Sequence, residues 1–160
     1  MKSGNDATKM NVLLAEDDPN DVFFIARAFS MAGMEVDLHL AADGQEMIDY
    51  LAKTTLVPTT APTNGTTSPD LVIMDLKMPR LNGFQVIEWI RANFEWDGLP
   101  LVVLSSSSLP EDIDRAYALG ADLYEVKPND PAALIATVRR LRRLFVRGAR
   151  ATNHRIAVGR

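Results

Sequence analysis

Leu71-Val72-Ile73-Met74 is apolar at every position, and the run stops on Asp75. A strand with one wet face alternates apolar and polar residues, so a run without alternation is covered on both faces. Covering both faces of a sheet takes helices in two layers, which places the chain in the α/β class. The carboxylate that closes the run projects from the C-terminal edge of the sheet, where open α/β folds place their ligands.

The rest of the chain repeats this grammar. Val12–Ala15, Val36–Ala41, Leu101–Leu104 and Leu123–Val126 read as four further strands, separated by stretches of helical period. Asp18 is placed to cap the first helix with Pro19 at its first position, and Val22, Ile25, Ala26 and Phe29 form its expected core stripe. Asp43-Gly44 opens a second helix through Tyr50 and Leu51. A third runs from Gly83 to Asn93, with Phe84, Ile87, Trp89 and Ile90 inward. Pro110 to Gly120 is a fourth, and a fifth runs from Pro131 to about Phe145. Five strands alternating with five helices predict a flavodoxin-like, doubly wound, five-stranded parallel sheet of order 2-1-3-4-5, because crossovers are right-handed.

Residues 1–9 read as a disordered lead-in, 10–146 as one domain and 147–160 as a basic C-terminal tail. The segment Thr54–Pro69, rich in Thr, Pro, Gly and Ser, reads as a long surface loop. It enters the Asp75 strand from the edge opposite the carboxylates, so no catalytic role is expected of it. With no cysteine, disulfides, thiol catalysis and cysteine-ligated metals are excluded. Neither an apolar signal core nor a span of the roughly 20 residues that cross a bilayer is present, so a cytoplasmic, membrane-free protein is expected.

The net charge of −4 is unevenly spread. Arg139 to Arg160 holds eight arginines and no acid, so the remainder carries −12. An acidic body favours a cation site, whereas the basic end reads as a solvated helix face running into the terminus.

In the expected topology the first and third strands are neighbours, which brings Glu16 and Asp17 opposite Asp75. At about 4 Å and an effective dielectric near 20, each pair of like charges costs on the order of 4 kcal/mol. Either one carboxyl stays protonated or a cation fills the gap. Oxygen donors without histidine or cysteine point to Mg²⁺. Asp17 and Asp75 are the expected direct ligands, Glu16 acts through water, and the Lys77 backbone carbonyl completes the set. Phosphoryl transfer needs an in-line nucleophile and neutralisation of the phosphoryl oxygens. Asp75 supplies the nucleophile, and Lys127 and the Ser105 hydroxyl supply phosphate-binding donors.

Leu13-Leu14-Ala15-Glu16-Asp17-Asp18, Pro69 to Pro79, Asn82-Gly83, Leu101 to Ser105 and Gly120 to Pro128 together resemble the receiver domain of response regulators. The resemblance covers about residues 10 to 145. It implies that a histidine kinase or a histidine phosphotransfer protein phosphorylates Asp75. It makes Ser105 and Tyr124 the switch pair, with Tyr124 rotating into space that Ser105 vacates. The long loop before Pro69 and Leu104-Ser105-Ser106-Ser107 look most like single-domain regulators that partner bacterial phytochromes, which implies a phytochrome-type sensor as kinase. Activity is then confined to the chain's own phosphorylation and dephosphorylation. A homodimer through the face of the fourth helix, fifth strand and fifth helix is a candidate arrangement. No direct DNA binding is expected, because 147–160 is too short for a recognition module. A phosphatase and a flavin-binding module share the topology. Lys77 opposes the first, lacking the acid that protonates a leaving group, and Glu16-Asp17-Asp18 opposes the second by repelling phosphate. Lys77 and Ser107 flank the phosphate's exit and do not readily orient a hydrolytic water, so a long-lived phosphoryl-aspartate is expected.

Overall fold

A computed structural model of the chain describes residues 9–55 and 67–145. The elements run β1 (Met10–Ala15), α1 (Pro19–Met31), β2 (Val36–Ala41), α2 (Gly44–Thr55), β3 (Leu71–Met74) and α3 (Gly83–Ala92). A short 3₁₀ turn (Phe94–Trp96) follows, then β4 (Leu101–Ser105), α4 (Pro110–Leu119), β5 (Leu123–Val126) and α5 (Pro131–Phe145). The five strands form one parallel sheet in the order β2-β1-β3-β4-β5, as the sequence predicts. Most of the loop expected at 54–69, together with residues 1–8 and 146–160, lies outside the described residues.

The pleat divides the sheet's side chains between two cores. Leu13, Ala15, Val72, Met74, Leu101, Val103 and Tyr124 pack towards α2, α3 and α4. Val12, Leu14, Leu71, Ile73, Val102, Leu104 and Leu123 pack towards α1 and α5. Every β3 residue is buried, which is the two-sided cover that its unbroken apolar run demands. Register carries the alternation across the sheet: Leu14 pairs with Ile73, Ile73 with Val102, and Val102 with Leu123.

Helix ends follow local chemistry. The Asp18 side chain accepts from Asn20 N–H at 2.8 Å, with Pro19 at the first position of α1. Asn82 and Gln85 form a reciprocal capping box at the start of α3. Gly120 closes α4 at φ 114°, a left-handed conformation that suits glycine. The buried face of α1 departs from the expected stripe. Ile25, Ala28 and Phe29 are buried, whereas Ala26 is exposed and Val22 half-buried. The helix presents a narrow face to the sheet and to α5, and Ala26 lies a helical step of ~100° past Ile25. Phe23 and Phe24 stay 59% and 45% exposed. In α3, Phe84, Ile87 and Ile90 are buried as expected, Trp89 is half-buried, and Val86 joins them. The helix α2 runs past Leu51 to Thr55.

Two polar anchors brace the frame beneath the site. Arg91 of α3 donates to the carbonyls of Trp96, Asp97, Leu99 and Gly120, and pairs with Asp122 at 2.9 Å. One guanidinium thus closes the 3₁₀ turn and the end of α4 together. Arg80, in the loop after β3, holds φ 63° and donates its Nε to Asp43 at 2.6 Å. That ion pair, joined by Glu46 at 3.9 Å, ties the β3–α3 loop to the start of α2.

Gly83 sits where α3 passes the end of β3. A Cβ there would stand 2.6 Å from the Asp75 carbonyl oxygen and 2.8 Å from Leu76 Cα, both backbone atoms that cannot swing aside. Gly83→Ala is expected to lower unfolding stability by about 1–3 kcal/mol. Urea denaturation reads it, and an unchanged midpoint would show that the two segments have room to part.

Candidate functional site

The strand tips converge because parallel strands all end on one edge. Glu16 continues the phase of Val12 and Leu14, Asp75 that of Leu71 and Ile73, and Lys127 that of Leu123. All three therefore lie on the α1/α5 side. Lys127 Nζ donates to Glu16 Oε2 at 2.6 Å, to Asp75 Oδ2 at 2.8 Å and to Asp21 Oδ2 at 2.7 Å. An ammonium has three N–H bonds, and here each meets a different carboxylate. Asp21, in the first turn of α1, is absent from the sequence-derived set. Its place at N3 reads as a favourable helix-dipole charge, and only the packing of α1 over the β5 tip brings it to Lys127.

Burial and charge oppose each other within this cluster. Glu16 and Asp75 are 5% and 6% exposed. Burial pushes the Glu16 carboxyl above its ordinary 4.5, while Lys127 and the Asp18 N–H hold back the rise. Burial would by itself lower the Lys127 ammonium, but the Asp21, Asp75 and Glu16 carboxylates outweigh it and lift it above the ordinary lysine value. The backbone N–H of Lys77 donates to Asp75 Oδ1 at 3.2 Å, so both oxygens of Asp75 are held.

Asp17 lies in the opposite phase, exposed at the edge. Among the described residues no three carboxylates or histidines converge as a ready metal cage, since Lys127 stands between the acids. The donor chemistry nevertheless fits a hard divalent cation. Glu16, Asp21 and Asp75 surround one ammonium and Asp17 stands exposed at the same edge, an excess of oxygen-borne negative charge with no nitrogen or sulfur ligand among them.

Ser105 and Tyr124 occupy the other face. Ser105 continues the phase of Leu101 and Val103, and Tyr124 is the neighbour of Val103 across the β4–β5 pairing. Ser105 is fully buried, and its Oγ accepts the Ser107 N–H at 3.3 Å. Tyr124 is only 8% exposed and already points inward, its hydroxyl donating to the Ser107 carbonyl at 2.8 Å. Burial raises the Tyr124 phenol, with Ser105 and Ser107 partly offsetting it. The Ser107 hydroxyl donates to Asp112 Oδ2 at 2.5 Å, which pins the β4–α4 loop to the first turn of α4. Sequence analysis placed Ser107 beside the phosphate's exit but did not anticipate its bond to Asp112. The serine run concealed which hydroxyl would be buried.

Beside Lys127 a cleft of about 210 Å³ opens between α1 and α5, lined by Asp21, Phe24, Leu104, Asn129 and Leu134 among others. Of the remaining candidates, Trp96 is 7% exposed and Trp89 packs partly against the same core, so both act as packing residues. His39 stacks near Tyr50, with ring centroids 5.2 Å apart, and has no second histidine beside it among the described residues.

Comparison with known proteins agrees with this arrangement. The profile of the response regulator receiver domain matches residues 12–139. A probable methanogenesis regulatory protein of Methanothrix harundinacea is 28% identical over 84% of this chain and 83% of its own length. A transcriptional regulatory protein, PrrA, of Mycobacterium leprae is 35% identical over 92% of this chain but 56% of its own length. The chain thus spans about half the length of several curated relatives it matches. Among solved structures, a response regulator in red light signaling of R. palustris superposes with a TM-score of 0.79 and 29% identity, covering 90% of this chain and 99% of that one. The phosphorylated cyanobacterial phytochrome response regulator RcpA follows at 0.75 and 25%, covering 90% and 97%.

Because its pKa is raised on folding, protonated Glu16 favours the folded state, and that contribution disappears as pH climbs from 4.5 through the folded value. The stability of the protein relative to Glu16→Gln is therefore expected to decline as pH rises above about 4.5. Denaturant titrations of both proteins across that range measure it. A flat or rising difference would contradict the assignment.

Proposed function

The chain belongs to the response regulator receiver domain family of two-component signalling, and on that premise we propose that Asp75 accepts a phosphoryl group from a histidine kinase or histidine phosphotransfer protein. The observation that carries this reading is the Lys127 ammonium, 2.8 Å from the oxygen of a carboxylate buried at the end of β3. In the transfer, a carboxylate oxygen of Asp75 attacks phosphorus. The Asp75 O–P bond forms as the donor's bond to phosphorus breaks, and the leaving group departs with that electron pair. Lys127 then directs an N–H to a phosphoryl oxygen, and the Ser105 hydroxyl donates to another.

Asp17 and Asp75, with Glu16 through water and the Lys77 carbonyl, are the residues that would hold Mg²⁺. When bound, the cation neutralises charge on the phosphoryl oxygens. Around this centre the side chains supply orientation. Lys127 and the Lys77 N–H each take one oxygen of Asp75, which fixes the rotamer of the nucleophile.

Phosphorylation adds roughly −1.5 to −2 charge at the β3 tip. Ser105 is drawn towards it, and the inward Tyr124 is the packing that this favours, so the phosphoryl group selects between two arrangements of the β4–α4 loop. The surface that changes is α4–β5–α5, where Leu109 and Val126 are 57% and 42% exposed, and a homodimer through it is the accompanying proposal. A phytochrome-type sensor is the proposed kinase, on the strength of the red-light and phytochrome regulators among the structural neighbours. Among the described residues no helix is long and apolar enough to cross a membrane, in keeping with a cytoplasmic role. Neither DNA binding nor turnover of external substrates is proposed. At the second position past the acceptor, where a hydrolase would hold an acid, the exposed Lys77 stands instead.

Incubation with acetyl phosphate and Mg²⁺ is expected to add about 80 Da, the mass of one phosphoryl group. Chelation of the metal or Asp75→Asn should abolish the gain. A wild-type mass that never changes would overturn the reading. The Ser107 hydroxyl is engaged by Asp112 and Lys77 carries no amide, so neither orients an attacking water. The phosphorylated form is accordingly expected to persist for minutes, and Lys77→Asn to shorten that lifetime several-fold. Wild-type decay within seconds, or decay indifferent to the substitution, would refute this.

A further inference from the structure

Asp21 is the member of the Lys127 cluster that stands apart from the strand tips. It is carried on α1, 37% of its side chain is exposed, and it lines the cleft that opens beside Lys127. We infer that Asp21 is a positioning residue for phosphoryl uptake, acting through Lys127. This rests on the reading of Asp75 as acceptor.

Lysine is a point charge on four flexible carbons, and nothing in its own structure points its N–H bonds. Lys127 reaches the site from the start of the β5–α5 loop, so its direction depends on what receives those bonds. Glu16 holds one from β1 and Asp21 holds another from α1, at 2.6 and 2.7 Å. The third is thereby left on the Asp75 side, at 2.8 Å. When Asp75 attacks, its oxygen gives up negative charge to the new O–P bond and becomes a poorer acceptor. The third N–H then turns to the phosphoryl oxygen while the other two stay anchored. With Glu16 alone the ammonium would pivot about one contact. A second anchor on a different element fixes its position, and in transfer chemistry a misplacement of about 1 Å can cost as much as a hundredfold in rate.

A purely structural role, tying α1 to the β5–α5 loop, is the competing account, and kinetics separate the two. The wild type, Asp21→Ala, Asp21→Asn, Lys127→Met and the double variant Asp21→Ala/Lys127→Met are phosphorylated with acetyl phosphate at saturating Mg²⁺ over a range of donor concentrations. Thermal midpoints are recorded alongside. A positioning role predicts that Asp21→Ala lowers the rate at saturating donor about tenfold with little change in half-saturation. Asp21→Asn, which keeps an acceptor oxygen, should recover most of the loss. In the Lys127→Met background, Asp21→Ala should cost nothing further. A saturating rate within twofold of wild type, or a loss that persists undiminished without Lys127, overturns the inference even if the midpoint falls. Should Asp21→Ala fail to fold, Asp21→Leu, close in shape but without an acceptor, against Asp21→Leu/Lys127→Met runs the same comparison. A wild type that takes up no phosphoryl group would instead refute the acceptor assignment, so the two failures are distinct.

Discussion

One ammonium shared among three carboxylates is the contact on which the functional end of this molecule depends. Lys127 joins the tips of β1, β3 and β5 to the first turn of α1. Without it Glu16 and Asp75 would bring two negative charges into a nearly dry space. In that setting an uncompensated charge is more costly than any surface pair could repay. The cluster still holds more acid than base. That imbalance is a standing invitation to a cation or to a phosphoryl group accompanied by one.

The pleat of the sheet divides the work between its two faces. Glu16, Asp75 and Lys127 fall in one phase and gather the charge on the α1/α5 side. Ser105 and Tyr124 fall in the other, among the apolar residues beneath α3 and α4. The β4–α4 loop runs from the charged edge to the first turn of α4. Ser105 ends β4 at the charged edge, and two residues on Ser107 receives the Tyr124 hydroxyl at its carbonyl and grips Asp112 with its own hydroxyl. The edge strand β5 is further fixed by the Tyr117 hydroxyl, which accepts the Tyr124 N–H at 3.0 Å. The inward tyrosine, the Ser107 carbonyl and the Ser107–Asp112 contact thus form one hydrogen-bonded unit at the start of α4.

Much of this was legible before any coordinates. Unbroken apolar runs at β3 and β4, proline and aspartate at helix starts, and glycine at the end of α4 are local signals whose physics acts over a few residues. The strand order followed from handedness, and the convergence of Glu16, Asp75, Ser105 and Lys127 on one edge followed from parallel strands ending together. Asp21, Arg91 and Asp112 were illegible for a common reason. Each is a charged residue at an ordinary helical position, where solvent exposure is the default expectation. Arg91 meets four carbonyls and Asp122 only because the 3₁₀ turn folds back beneath α3 and α4 ends beside it. The burial of Ala28 rather than Ala26 belongs here too, since two alanines two helical steps apart differ only in how the helix is rolled against its neighbours.

By itself, then, the amino-acid sequence determined the class of fold, the order of the strands and which strand ends carry reactive groups. Those properties depend on periodicity, chirality and chain direction, all of which are written along the backbone. Only the tertiary structure decided that Lys127 has three acidic partners, that one of them comes from α1, and that Tyr124 lies inward. Such pairings are set by where helices settle on the sheet to within an ångström or two, and no spacing along a chain encodes that distance.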